Sequence, residues 1–189
     1  LKEYPQDQEI RINLAESYLW AKQNKNAVEV YQTIVDADPQ NPLPRVGLSV
    51  ALYLTDQSKK SQEQINQALR LLNSGTDPNI AMAVRLQSIQ SLLWQNKFTQ
   101  VEKRRKQYLK EGLITTQISN TIIARSALSQ KKYLVALSTY NGLINRNPNS
   151  SEAWAGRVQT LIGMDSLSSA YKTSLTGLNR LPSNKSLKT

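Results

Sequence analysis

Pro-centred turns punctuate this chain at a fixed interval. The clusters Asp38-Pro39-Gln40-Asn41-Pro42, Asn73-Ser74-Gly75-Thr76-Asp77-Pro78, Asn147-Pro148-Asn149 and Leu181-Pro182-Ser183 combine residues that preset φ or hydrogen-bond their own backbone. Pro148 to Pro182 is 34 residues, and Pro39 to Pro148 is 109, three such periods plus a surplus of seven that the loop at 73–78 mostly absorbs. The stretch NRNPNSSEAW, residues 145–154, is thus one boundary of a repeat of about 34 residues. Between boundaries, apolar residues recur at spacings of three and four: Leu14, Tyr18 and Ala21, then Ala27, Tyr31, Ile34 and Val35. Short polar breaks at Gln23-Asn24-Lys25, Asp56 to Lys60, Gln95-Asn96, Gln130-Lys131 and Met164-Asp165 cut the blocks into helices of three to four turns. The expected architecture is all-α, about ten helices in five hairpins. A single hairpin cannot bury its apolar stripe alone, so successive hairpins must stack.

Composition agrees with helices and closes most chemistry. Seven Gly, seven Pro and few β-branched runs favour helix over strand. At 189 residues the chain has about the size of one domain. The expected organisation is one repeat domain over 1–182, with units near 8–41, 42–77, 78–116, 117–150 and 151–182, then a polar basic tail at 183–189. There is no Cys and no His, which removes disulfides, thiol nucleophiles, imidazole bases and the commonest soft-metal ligands. The seven Gly are isolated, so no phosphate-binding loop exists, and no carboxylate pair is forced into a cleft; Asp36 and Asp38 flank a turn and read as helix-end residues. The expectation is no catalysis, no metal, no cofactor and no small-molecule substrate. No run reaches the ~18 apolar residues of a membrane helix. The chain opens at Leu1 without a basic-then-apolar leader and reads as a mature or excised fragment. The lack of Cys leans slightly toward an exported or periplasmic bacterial protein and does not fix a compartment.

The period and its residues resemble the tetratricopeptide repeat. The first unit carries Leu14-Ala15, Tyr18, Ala27, Tyr31 and Pro39 where that family places its Leu-small pair, first aromatic, second-helix Ala, second aromatic and closing Pro. The fourth matches through Ile123-Ala124, Tyr133, Ala136, Tyr140 and Pro148, and the fifth through Trp154, Ala170 and Pro182. The second keeps only Leu48-Ser49 and Ala68; the third has Phe98, but Val101 and Arg105 replace the Ala and the aromatic. The resemblance implies a right-handed superhelical solenoid whose first helices line a concave groove. The small residues Ala15, Ala27, Ala124, Ala136 and Ala170 then mark close helix approaches, and Tyr18, Tyr31, Tyr133 and Tyr140 fill wider gaps. Residues after Pro182 are too few and too polar for an added capping helix, which suggests continuation into another domain or docking of the last hairpin; equally, Ser168, Ser169, Lys172 and Thr176 could make the last helix polar enough by itself.

The family's carboxylate clamp is absent, since the corresponding sites hold Ile12, Glu16, Gly47, Ala83 and Gln87. The groove projects instead as Glu16, Trp20, Val50, Tyr53, Gln87, Gln90, Arg125 and Gln159. Apolar anchors and amides suit a peptide or helix, and also sugar rings, better than a dense polyanion. For Trp20 and Tyr53, inter-helix packing is the first reading and a groove contact the second. The net charge of +10 is densest at Lys103-Arg104-Arg105-Lys106, on a second helix and so on the convex side by the family's geometry. Four consecutive residues wrap a helix, so Arg105 has a second reading as a packed stem. The charge reads first as solvated surface, then as a contact with an anionic membrane or acidic protein, and last as a nucleic-acid site, for which neither motif nor interleaved aromatics are present. The functional expectation is a protein-protein interaction scaffold binding a partner's peptide or helix. The alternative is a carbohydrate- or polyanion-binding module of a bacterial export apparatus.

Overall fold

The computed structural model describes residues 8–181, so the tail at 183–189 and Pro182 lie outside the described residues. The described residues form ten α-helices and no strand: α1 (Gln8–Trp20), α2 (Asn24–Ala37), α3 (Pro42–Tyr53), α4 (Ser58–Leu71), α5 (Pro78–Trp94), α6 (Phe98–Lys110), α7 (Thr116–Ser129), α8 (Tyr133–Arg146), α9 (Ser151–Gly163) and α10 (Leu167–Arg180).

Two boundary chemistries alternate along the chain. Into α3, α5, α7 and α9 the chain enters through a short polar cap. Asn41 accepts from the Leu43 N–H (3.0 Å), Asp77 from Asn79 and Ile80 (2.7 and 3.2 Å), Thr115 from Ile118 (3.2 Å) and Ser150 from Ala153 (3.2 Å). These caps satisfy donors that have no intrahelical acceptor, and Pro42 and Pro78 sit where a missing N–H costs nothing. The helices α2, α4, α6, α8 and α10 lack a side-chain cap. Each follows one residue in the left-handed region: Lys22, Asp56, Asn96, Lys131 and Asp165, with φ of 55–61°. The turn between α6 and α7 uses Gly112 at φ 68° and no proline, which is why no Pro cluster announces it in the sequence. Asp38 caps the end of α2 and Asp36 accepts from Gln32 (2.7 Å), so both serve the helix end.

The chain divides after Gln95 into two compact units. In the first, α1 pairs with α2 and α3 with α4; α2 packs on α3 and α4 on α5, while α3 touches both α1 and α5. Its core is built on Ala15, Ala27, Tyr31, Ile34, Leu48 and Ala51. In the second, α6 packs on α7, α7 pairs with α8 and α9 with α10, and α9 touches both α7 and α8. Its core is built on Ala124, Ala136, Tyr140, Trp154, Leu161 and Ala170.

The small residues are where close approach needs them: Ala15, Ala27, Ala124 and Ala136 are wholly buried and Ala170 nearly so. A second close approach repeats with the period of the turns. A Cβ on Gly47 would lie 2.3 Å from the Tyr31 ring, and one on Gly156 would lie 2.2 Å from the Tyr140 ring. In each unit, therefore, a glycine of the following first helix makes room for the buried tyrosine.

The weakly matching second repeat is corrected by its helix register. Ala27, Ala136 and Ala170 each stand fourth in their helix, and the fourth residue of α4 is Ser61, not Ala68. Ser61 is buried and donates to the Ser49 carbonyl (2.7 Å), a polar substitute for the alanine, while Ile65 takes the place held by Tyr31 and Tyr140. Ala68 is also fully buried, but deeper along the helix. The opening tryptophan has a substitute as well. Trp154 Nε1 donates to the Pro148 carbonyl (2.8 Å), and at the matching position of α3 the Arg45 guanidinium donates to the Pro39 carbonyl (3.0 Å). Gln64 and Gln67 of α4 accept from the same guanidinium (2.8 and 2.7 Å), so the cation is buried with partners.

Candidate functional site

A concave, largely apolar feature of the first unit lies between α1 and α3, with Tyr31 of α2 behind it. The groove has a volume of about 440 Å³ and is lined by Ile12, Glu16, Leu19 and Trp20 of α1 and Leu43, Pro44, Val46, Gly47 and Val50 of α3. Residues 12, 16 and 20 recur every four positions, so one face of α1 supplies that wall. The lining is mainly apolar. Burial pushes the Tyr31 hydroxyl up to about 12, and the charge on Glu16 adds to the shift.

The predicted groove residues fall into two groups. Glu16 and Trp20 line the α1–α3 groove together with Val50, and Trp20 is 87% exposed, which rules out its reading as inter-helix packing. Tyr53 closes α3 and stacks on Trp94 at the end of α5, with ring centroids 4.0 Å apart and planes 8° from parallel. Part of Tyr53 is therefore packing. Gln87 and Gln90 are half-buried on α5, and the Gln87 amide nitrogen is buried without a hydrogen-bond acceptor. Arg125 and Gln159 belong to the second unit, exposed on α7 and α9; Arg125 lies 3.9 Å from Glu152. In that unit burial pushes the Tyr140 hydroxyl up to about 12, opposed by the charge of Arg125 and aided by that of Glu152.

Trp94 is missing from the sequence-level site, although a signal for it exists. Each first helix of the first unit ends on an aromatic, Trp20, Tyr53 and Trp94, whereas α7 and α9 end on Ser129 and Gly163.

The basic run needs a correction. Arg105 does not belong to a surface patch: it is 8% exposed, donates to both Glu102 carboxylate oxygens (2.8 and 2.6 Å) and to the buried Ser119 hydroxyl (2.5 Å). It occupies the position held by Tyr31 and Tyr140 in their helices, so it fills core space with its stem and satisfies its head by pairing. Lys106 shares Glu102 at 3.4 Å, and the Arg105 hydrogen bond holds that carboxyl below the usual range. Lys103 and Lys106 are exposed and Arg104 is half-buried. Among the described residues no helix is long and apolar enough to cross a membrane, and no group of three acidic side chains converges as a metal site would.

On α10, Leu167, Tyr171 and Leu175 are exposed at 60, 67 and 44%, one helical turn apart. The polar residues between them do not make that face polar.

With paired helices, buried alanines and the tyrosine-glycine contact described, comparison with known proteins places the fold. Residues 1–46 match the family model for the tetratricopeptide repeat. The fold is that of tetratricopeptide repeats. Solved structures with this fold extend the likeness along the chain. A tetratricopeptide repeat protein from Parabacteroides merdae superposes with a TM-score of 0.64 at 14% identity, over 93% of this chain and 66% of that one. The nearly identical tetratricopeptide-like repeats of a putative kinesin light chain from Podospora anserina give 0.64 at 10%, over 94% and 95%. MamA from Desulfovibrio magneticus RS-1 gives 0.55 at 10%, over 95% and 98%. Comparison with curated proteins gives no match. At these identities the likeness concerns the tetratricopeptide fold alone.

Proposed function

We propose that this chain is a protein-protein interaction scaffold that seats a peptide or helix of its partner against the first helices, with the α1–α3 groove as principal site. The observation carrying this reading is the open, largely apolar groove with Trp20 standing 87% exposed at its wall. A large aromatic held out of the core next to an apolar recess is the form of an anchor site, since aromatics dominate binding hot spots. The buried pairing of Arg105 and the sharing of Glu102 by Lys106 remove charge from the basic run, which favours this groove over a polyanion surface.

The test is affinity capture from source extract on immobilised full chain, eluted with a salt gradient, beside columns carrying Trp20→Ala with Tyr53→Ala or Lys103→Glu with Lys106→Glu. A discrete protein that survives high salt, is lost from the first variant and stays on the second is the expected result. Retention only of glycan, lipid or acidic polymer, released by moderate salt and untouched by the groove variant, moves the function elsewhere.

A further inference from the structure

The charges of the groove and of the whole chain have opposite signs. Among all the residues lining the α1–α3 groove, Glu16 is the only ionisable carboxylate or cation, in a chain of net charge +10. It stands one helical turn before Trp20, so carboxylate and indole share one face of α1 and both border the same recess. Among the described residues no Lys or Arg of the chain forms a salt bridge with Glu16. A carboxylate beside an exposed indole, next to an apolar floor, is chemically specific. An ammonium or guanidinium can lie over the indole face while pairing with the carboxylate, and a neighbouring apolar side chain can enter the recess between Ile12, Leu43 and Val50. An acidic segment would meet Glu16 as a like charge, and a neutral one would leave the carboxylate partly desolvated with nothing to offset it.

We infer that the groove selects a basic-apolar segment: a Lys or Arg held between Glu16 and Trp20, adjacent to a large apolar residue seated on the α3 floor. The inference rests on the groove reading above and names the chemistry of its occupant. It also runs against the chain's own field, because long-range attraction by a +10 protein favours acidic peptides. The sign of the selected charge therefore separates groove recognition from bulk electrostatics.

The experiment is selection of a displayed random dodecapeptide library on the immobilised full chain at physiological salt, followed by fluorescence-polarisation titration of the enriched peptides. Circular dichroism confirms that each variant is folded, and Trp20 is exposed enough for its replacement to leave the core intact. The expected result is enrichment of Lys or Arg next to Leu, Ile, Phe or Met. For such a peptide Glu16→Gln should weaken binding roughly three- to tenfold and abolish the preference for Lys over norleucine, and Trp20→Ala should weaken it about tenfold or more. Glu16→Asp should restore part of the preference. Peptides that bind without basic bias yet depend on Trp20 would overturn the cation inference while leaving the groove reading standing. Acidic peptides insensitive to both variants, or no enrichment at all, would overturn both.

Discussion

Gly142 and Gly156 both stand inside helices, yet alanine at the two positions should move stability in opposite directions. A Cβ at Gly142 meets nothing within 4 Å, so Gly142→Ala gains only the reduced freedom of the unfolded chain, about 0.5–1 kcal/mol. A Cβ at Gly156 would lie 2.2 Å from the buried Tyr140 ring, which has no room to retreat; Gly156→Ala should cost about 1–3 kcal/mol. Urea unfolding of the two variants measures both signs, and equal effects would remove the close-approach argument. A third residue-scale test concerns the left-handed turns. Lys131 has φ of 57°, a conformation that costs a non-glycine residue about 1–2 kcal/mol, so Lys131→Gly should stabilise by about 1 kcal/mol. The small residues were legible in the sequence because spacing alone marks Ala27 and Ala136 as the same place in two repeats. The roles of Gly47 and Gly156 were not, since a lone glycine inside an apolar helix gives no sign of which ring approaches it.

At the scale of the helix, α6 shows how one element can depart from its repeat and still fold. Arg105 takes a tyrosine's position, and its head is satisfied by Glu102 on the same helix and Ser119 on α7. Losing it would strand the buried Ser119 hydroxyl and empty the core space its stem fills, while Glu102 keeps Lys106, so Arg105→Ala should destabilise by about 1.5–3 kcal/mol in urea unfolding. The same cluster gives a pH signature. Glu102 titrates lower folded than unfolded, so its contribution is present above the ordinary glutamate range near 4.3 and is lost as pH falls through the depressed value. Thermal unfolding between about pH 5 and 3 should therefore drop less steeply in Glu102→Gln than in the parent. Tyr31 and Tyr140 act at the other end of the scale. Both hold their protons to about 12 against an unfolded value near 10, so the unfolded chain ionises first and stability should fall as pH rises from about 10 to 12. Replacing both with Phe should flatten that fall, read as the urea midpoint at pH 8, 10 and 11. The sequence showed that α6 breaks the pattern, but whether Arg105 points inward depends on Ser119, fourteen residues away on another helix.

For the whole molecule, the division after Gln95 leaves each unit with its own buried cluster. Because stability in helical repeats is mostly nearest-neighbour, chains 1–95 and 96–189 made separately should each show helical circular dichroism and a cooperative melt. Two non-cooperative halves would show that neither cluster suffices. The order and class of the elements were legible from punctuation and period, because turns at fixed spacing force stacked hairpins. The groove was legible only in outline: the face of α1 follows from a spacing of four, whereas the Tyr53–Trp94 stack depends on how α3 and α5 meet. The Arg45 and Trp154 tethers bear on how such arrays diverge. Tryptophan and arginine codons differ by a single base, and both side chains deliver an N–H to the same carbonyl of the preceding turn. A repeat can therefore lose its most recognisable letter in one mutational step while keeping the bond that letter supplied. The two repeats thus differ in the residue at this position and agree in the hydrogen bond it makes.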